Sequence, residues 1–298
     1  MTIYSQVSSN KIRTVFLLIT FIAFFSFVFF IIGRAYGNST SYLILGLFFS
    51  ILLGVGSYFY SDRIILFMTG AKQADQKKYY DFYTVTENLA IAAGTPTPKI
   101  YVIDDPSPNA FATGRNPTHA VVCATSGLLA KLNRTELEGV IAHELSHIKN
   151  YDILLSSLVS VLAGTLVFVT DWIMRSWWWG GLQRDENDRQ SGPLFLLIFV
   201  LTIIITPIIA TLIQLAISRR REYLADASGV LLTRYPEGLI HALEKISADP
   251  RPLQKVSGAT AHLFIVSPFK GKKISSWLAG LFSTHPPIEE RIKILKEM

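Results

Sequence analysis

Two histidines four residues apart, with a glutamate beside the first, are the side chains in this sequence best suited to chemistry: His143-Glu144-Leu145-Ser146-His147. On a helix, residues i and i+4 share a face, so both imidazoles can reach one divalent cation while Glu144 sits beside the position of its water. Zinc with three protein ligands lowers the pKa of that water toward roughly 7 and polarises a carbonyl. The neighbouring carboxylate takes the proton and returns it to a leaving amine. The pattern points to metal-assisted hydrolysis of an amide. The single cysteine, Cys123, excludes a thiolate cage and an intramolecular disulfide, so any metal must use His and carboxylate.

A second pattern, Glu222-Tyr223-Leu224-Ala225-Asp226, offers the rest. Glu222 can be a third ligand, and Asp226, one turn later on the same face, can hydrogen-bond the far nitrogen of a ligand His and fix its tautomer. The plainer reading of Glu222 is a surface ion pair with Arg219. His241, His262, His285 and Glu237 are rivals for the third position. Within Leu239-Ile240-His241-Ala242-Leu243, His241 reads instead as a packed or half-exposed helix residue. Asp152 could stand behind a ligand, but ending the motif helix near Asn150 is its stronger reading. Cys123 reads as packing in a strand.

The elements that must position these groups follow from caps and breakers. Asn133, with Glu136 three residues on, predicts a capping box opening a helix through Leu137, Val140, Ile141, Leu145 and Ile148. Ahead of it, a helix over Tyr79–Ala93 is stopped by Gly94-Thr95-Pro96, and strands are expected at Lys99–Ile103, Asn109–Thr113 and Ala120–Ala124. A small mixed or antiparallel sheet follows. Further helices are expected over Arg219–Leu232, from Pro236 to about Ile246, and from Pro287 through Met298, while 250–282 is irregular.

Half of the residues are hydrophobic and 17% are charged, against roughly a quarter charged in soluble domains. The excess concentrates in Val15–Ile32, Leu43–Tyr60, Ile153–Thr170 and Leu194–Ile213, each about the length that crosses hydrocarbon as a helix. An ordinary soluble enzyme, a disulfide scaffold and a disordered chain are excluded. The organisation expected is two transmembrane helices within 1–61 (about 14–33 and 42–60), a catalytic part over 62–152, and a transmembrane hairpin within 153–218 (about 153–174 and 194–217). A second catalytic part over 219–298 completes it. With four spans, one side of the membrane holds 24 of the 28 Lys and Arg, which places the catalytic parts and both termini in the cytoplasm. The loop with Trp177, Trp178 and Trp179 then faces out. Lys11 and Arg13 precede a first span too long for a signal peptide and lacking a cleavage site, so it reads as a retained anchor. A net charge of +6 comes without a basic stripe interleaved with aromatics, and no nucleic-acid partner is expected.

The HExxH helix, the distant ExxxD helix, the Asn109-Ala110-Phe111-Ala112-Thr113-Gly114 segment, the late His285-Pro286-Pro287 and the flanking spans resemble the HtpX-type membrane zinc endopeptidases, relatives of the CAAX prenyl endopeptidases. The resemblance covers most of the chain, leaving 250–282 unmatched. It implies an α+β, mainly helical fold: a gluzincin-like zinc metalloprotease domain with a small sheet on a four-helix transmembrane bundle. One Zn2+ is implied, held by His143, His147 and Glu222, with Glu144 as catalytic base and Asp226 behind a ligand. It further implies an edge strand, Asn109, Ala110, Phe111, Ala112 and Thr113, that pairs with an extended substrate. His285 would donate to the oxyanion, against the simpler reading of capping or packing at the last helix. The implied partners are the lipid bilayer and membrane-protein or unfolded polypeptide substrates, in protein quality control at the cell membrane. Two alternatives stay open. An intramembrane site-2-like protease would bury the motif in an apolar span, yet Thr135, Glu136, Glu138, Lys149 and Asn150 surround it. A non-catalytic zinc-binding adaptor or transporter would close the fourth metal position with a protein ligand. Cleavage specificity and oligomeric state are not legible.

Overall fold

A computed structural model describes residues 3–35, 37–180, 218–269 and 286–298. Two long antiparallel helices open it, α1 (Ile3–Ala35) and α2 (Ser39–Thr69). Asn38 caps α2 by accepting from the Ser41 N–H, and Gly70, at φ 68°, ends it in the left-handed region. Both helices run past their expected bounds; α2 continues through Ser61-Asp62-Arg63 because no Gly or Pro stands between Tyr60 and Gly70.

The burial pattern of α2 inverts that of a soluble helix. Its buried face carries Gly46, Ser50, Gly54, Ser57 and Ser61, while Ile44, Phe48 and Leu52 point outward, Phe48 being 61% exposed. Small residues inside and large apolar residues outside are what helix packing in lipid requires, since hydrocarbon is as apolar as Leu and close backbone approach supplies the attraction. α1 and α2 are each long and apolar enough to cross a membrane. The third expected span begins as part of α6 (Asp152–Gly180), whose Leu155, Leu158, Leu162 and Leu166 pack with Leu17 and Phe21 of α1. The fourth, at 194–217, lies outside the described residues, as do residues 181–193 of the loop before it.

The polar part is built on a four-stranded sheet: β1 (Lys72–Gln73), β2 (Lys99–Ile103), β3 (Ala110–Gly114) and β4 (Ala120–Thr125), in spatial order β1-β2-β4-β3. β2 and β4 are parallel, and the outer pairs are antiparallel, with Ala112 opposite Val122. Three strands stand within one residue of the expected bounds; β1, two residues long, carries no readable alternation. Helices α3 (Tyr80–Ala93), α4 (Ser126–Lys131), α5 (Arg134–Lys149), α7 (Arg219–Thr233), α8 (Pro236–Ala248) and α9 (Ile288–Leu295), with short 3-10 turns at Pro117–His119 and Ala261–Leu263, complete the described elements.

α5 is the central one. Its capping box forms as expected, with Asn133 accepting from the Glu136 N–H and Glu136 accepting from the Asn133 N–H. It is buried on nearly every side, and Leu137, Val140, Ile141, Leu145 and Ile148 join the main core with Val122 of β4 and Leu239 and Leu243 of α8. Close crossings depend on glycine. A Cβ on Gly139 would lie 2.6 Å from the Leu239 backbone nitrogen, and one on Gly229 of α7 would lie 3.1 Å from the His143 nitrogen. Gly139→Ala is expected to lower stability by about 1–3 kcal/mol, the cost of overpacking against a backbone that cannot rotate away; denaturant unfolding measures it.

Candidate metal centre

α5 ends at Asn150, and Tyr151 adopts φ 60°, a left-handed conformation uncommon outside glycine and Asn. The chain there turns through 84° into α6. That corner swings Asp152 back beneath α5, where its Oδ2 lies 2.9 Å from His147 Nδ1. Asp152 was expected to end the motif helix; it instead opens the next helix and serves His147, because the left-handed Tyr151 turns the chain sharply there. On the other imidazole, Asp226 Oδ1 is 2.9 Å from His143 Nδ1. Each carboxylate is placed to accept an Nδ1–H, which directs each Nε2 toward the position a cation would take.

The two Nε2 atoms are 3.2 Å apart, and the Glu222 oxygens lie 3.8 Å from His143 Nε2 and 3.6 Å from His147 Nε2. Tetrahedral bonds of about 2.05 Å place donors about 3.3 Å apart, so the trio fits one small ion after sub-ångström tightening. His143, His147 and Glu222 could thus hold a metal ion. Glu222 is buried facing the histidines, which removes the surface-pair reading. Burial works against a charge on His147, yet its bond to Asp152 and the nearby Glu222 and Glu144 outweigh it and raise the imidazole to about 9. Burial likewise opposes the charge of Asp226, but Arg291 and His143 hold it down at about 2. Cys123 is buried in β4, its thiol pushed up first by that burial and then by Glu144.

The cleft above the trio has a volume of about 40 Å³. That is room for an ion and a water molecule and too little for a substrate side chain. Glu144 lines it, together with Ala112, Ser156, His262 and Ile265.

Of the five expected strand residues, only Ala112 reaches the cleft. The Thr125 N–H donates to the Asn109 carbonyl, which fixes the ladder so that 111 and 113 pair with β4 while 110, 112 and 114 face outward. The Ala110 carbonyl is already taken by the Ile265 N–H, and the Gly114 N–H by Ser157 Oγ. Asn109 binds the Val266 carbonyl through its amide, and Thr113 Oγ1 lies 2.7 Å from Ser157 Oγ. Phe111 turns away from the cleft and packs edge-to-face with Phe264 at 5.1 Å. Asn109, Phe111 and Thr113 thus spend their side chains on internal contacts and Ala110 packs in the main core, while the outer flank of β3 is covered at Ala110 and Gly114. His285 lies outside the described residues. His241 and Glu237 are exposed on α8. His262 lines the cleft with its Nε2 3.3 Å from both Ser160 Oγ and the Ser156 carbonyl.

Three contributors were not anticipated. Arg291, fully buried, grips Asp226 in a two-pronged pair at 2.6 and 2.9 Å and donates to the Ile265 carbonyl. The signal was present: Arg291 shares a face of its helix with Ile288 and Leu295, where an apolar residue belongs. Asn10 of α1 donates to Asp152 Oδ1 at 2.7 Å and to the Asn150 carbonyl at 3.0 Å, and Arg221 donates to Asn10 Oδ1 at 3.2 Å. Nothing local in the sequence marks Asn10 or Arg221. Asn10→Leu leaves a buried carbonyl and one Asp152 oxygen without their amide donor. The expected result is destabilisation by about 1–3 kcal/mol and about tenfold weaker metal binding in chelator competition; unchanged metal affinity would refute the link.

The family model described as Peptidase family M48 matches residues 76–298. The chain is 46% identical over 304 residues to a "Protease HtpX homolog" of Caldanaerobacter subterraneus subsp. tengcongensis, covering 100% of this chain and 98% of that one. It is also 46% identical to the "Protease HtpX homolog" of Dictyoglomus turgidum, covering 100% and 95%. The crystal structure of S. mikatae Ste24p shares the fold, with a TM-score of 0.50 at 18% identity over 98% of this chain and 67% of the other. A match to the family over all three site helices, and two relatives that align along essentially their whole length, leave one conclusion: the chain belongs to peptidase family M48 and is a membrane metalloendopeptidase.

Proposed function

We propose that the chain is a zinc endopeptidase of the cell membrane whose site opens on the cytoplasmic face and which cuts membrane or misfolded proteins in quality control. The observation that carries this reading is the trio of His143, His147 and Glu222, each imidazole backed by its own carboxylate, at the foot of helices suited to lipid. Two nitrogens and one oxygen suit zinc and, among the described residues, leave a fourth position open, which favours a catalytic over a structural site.

In this reading His143, His147 and Glu222 hold the ion, which when bound acidifies water and polarises the scissile carbonyl. Glu144, lining the same cleft, accepts the proton of the attacking water and passes it to the departing amine. Asp226 and Asp152 keep both imidazoles in the Nδ1–H tautomer. Ala112 offers the one outward N–H and C=O pair on β3 that faces the cleft, so an extended peptide would register there, one strand beyond β3. His262, Leu263 and Ile265 form the wall of the cleft beside Ala110, so the peptide would lie between that wall and Ala112.

The test uses full-length protein in detergent with unfolded casein. Cleavage should stop on chelation and return with zinc. Hydrolysis by metal-free protein would sink the proposal. Orientation is read separately: with the buried Cys123 replaced by Ala, Thr40→Cys should label from outside intact cells and Lys99→Cys should not. The opposite pattern would reverse the topology.

A further inference from the structure

Arg221 lines the metal cleft and also a second cavity, of about 440 Å³, between the start of α1 and the start of α7. Around this cavity stand Ser9, Asn10 and Arg13 of α1 and Ser218, Arg220 and Arg221 at the entry to α7. Three arginines therefore line one concave space, and no carboxylate lines it among the described residues. Arg13 and Arg221 are near enough for their like charges to oppose one another. Asp152 lies 3.8 Å from Arg221, whereas no ion pair joins Arg13 or Arg220 to another described residue.

Clustered guanidinium groups with hydroxyl and amide donors between them match the oxygens of a phosphate, which accept forked N–H pairs. Position narrows the source. The apolar run of α1 begins directly after Arg13, and Phe16, one turn further on that face, is 66% exposed with Ile19 beyond it. A phosphate at Arg13 would sit at headgroup depth, with apolar surface running from it into the hydrocarbon.

We infer that this cavity binds the phosphodiester of an anionic phospholipid, clamped by Arg13 and Arg220, with the acyl chains lying over Phe16 and Ile19. Arg221 then joins the lipid site to Asp152 and so to the His147 side of the metal centre. The membrane in this view supplies a ligand that helps to set the corner on which the site is built. A free phosphate would use the same arginines, and the experiment separates the two.

Native mass spectrometry of full-length protein in detergent, titrated with phosphatidylglycerol, phosphatidylcholine or inorganic phosphate, reads binding without reference to peptide hydrolysis. One phosphatidylglycerol is expected to bind in preference to phosphatidylcholine. Arg13→Gln with Arg220→Gln should weaken it about thirtyfold, at about 1 kcal/mol for each cation lost near a membrane surface. Lys77→Gln with Lys99→Gln, which removes the same charge from exposed positions elsewhere, should leave the preference intact, and circular dichroism checks that both variants fold. Equal lipid binding by the arginine variant, or equal loss in the lysine variant, overturns the assignment. Inorganic phosphate that binds through the same arginines while phosphatidylglycerol fails to compete would overturn the lipid and establish the free anion.

Discussion

Glu144→Gln should bind about one zinc per chain and cleave nothing measurable, with kcat down by about 10³-fold or more. The estimate rests on what the amide removes. Glutamine matches the shape of glutamate and can still hydrogen-bond within the cleft it lines, but it cannot take a proton from water or carry one to an amine. General acid–base transfer contributes roughly 10² to 10⁴-fold, and here one carboxylate serves both steps. Metal content should be indifferent, since the grouped donors are His143, His147 and Glu222. Elemental analysis and turnover on the same preparation test both halves. Activity surviving the substitution would strip Glu144 of the role, and loss of zinc would make it a ligand.

How far the site could be read in advance depended on whether its parts lie near one another in sequence. His143, Glu144 and His147 sit on one helical turn, so spacing alone predicts a shared face. Glu222 and Asp226 repeat that logic on a later helix, where Asp226 Oδ1 lies 2.9 Å from His143 Nδ1; which of the two histidines it faces was not legible in the spacing. The caps and strands were legible for the same reason, because Asn133 and Glu136, or the alternation of Lys99–Ile103, are local facts. Asp152 shows the limit. Five residues from His147, it is reached only through the left-handed turn at Tyr151, and no residue type there announces that turn. Asn10 is more distant still: its partners stand 140 and 142 residues away, and an isolated polar residue ahead of an apolar helix reads as a flank. β3 forms where alternation puts it, and of its expected residues Ala112 reaches the cleft. Periodicity places Asn109–Thr113 in a sheet and says nothing of the segment around Ile265 that lies along it. Strands reveal their faces through alternation, whereas the occupant of an edge is a long-range fact.

Arg291→Met is expected to be the most damaging substitution for the scaffold, costing about 3–5 kcal/mol and most of the bound zinc. The reason is the carboxylate it leaves behind. Asp226 is 1% exposed, and its two oxygens are matched by the Arg291 guanidinium at 2.6 and 2.9 Å. Breaking a buried pair by removing one member strands the other charge, and that penalty exceeds what the pair contributes over an apolar replacement. Left with His143 Nδ1 alone, Asp226 would take up a proton or drag His143 off its axis, and either change disturbs the tautomer that leaves Nε2 for the metal. Arg291→Lys should not rescue, because an ammonium cannot reach both oxygens and the Ile265 carbonyl at once. Adding Asp226→Asn to Arg291→Met discharges the stranded carboxylate and should recover much of the stability. Zinc affinity would stay low, since a neutral amide holds the His143 Nδ1–H less firmly than a carboxylate does. Thermal unfolding and zinc stoichiometry of the single and double variants form a cycle that separates the two effects. A single variant within about 1 kcal/mol of the parent would mean that Asp226 is held by something other than Arg291.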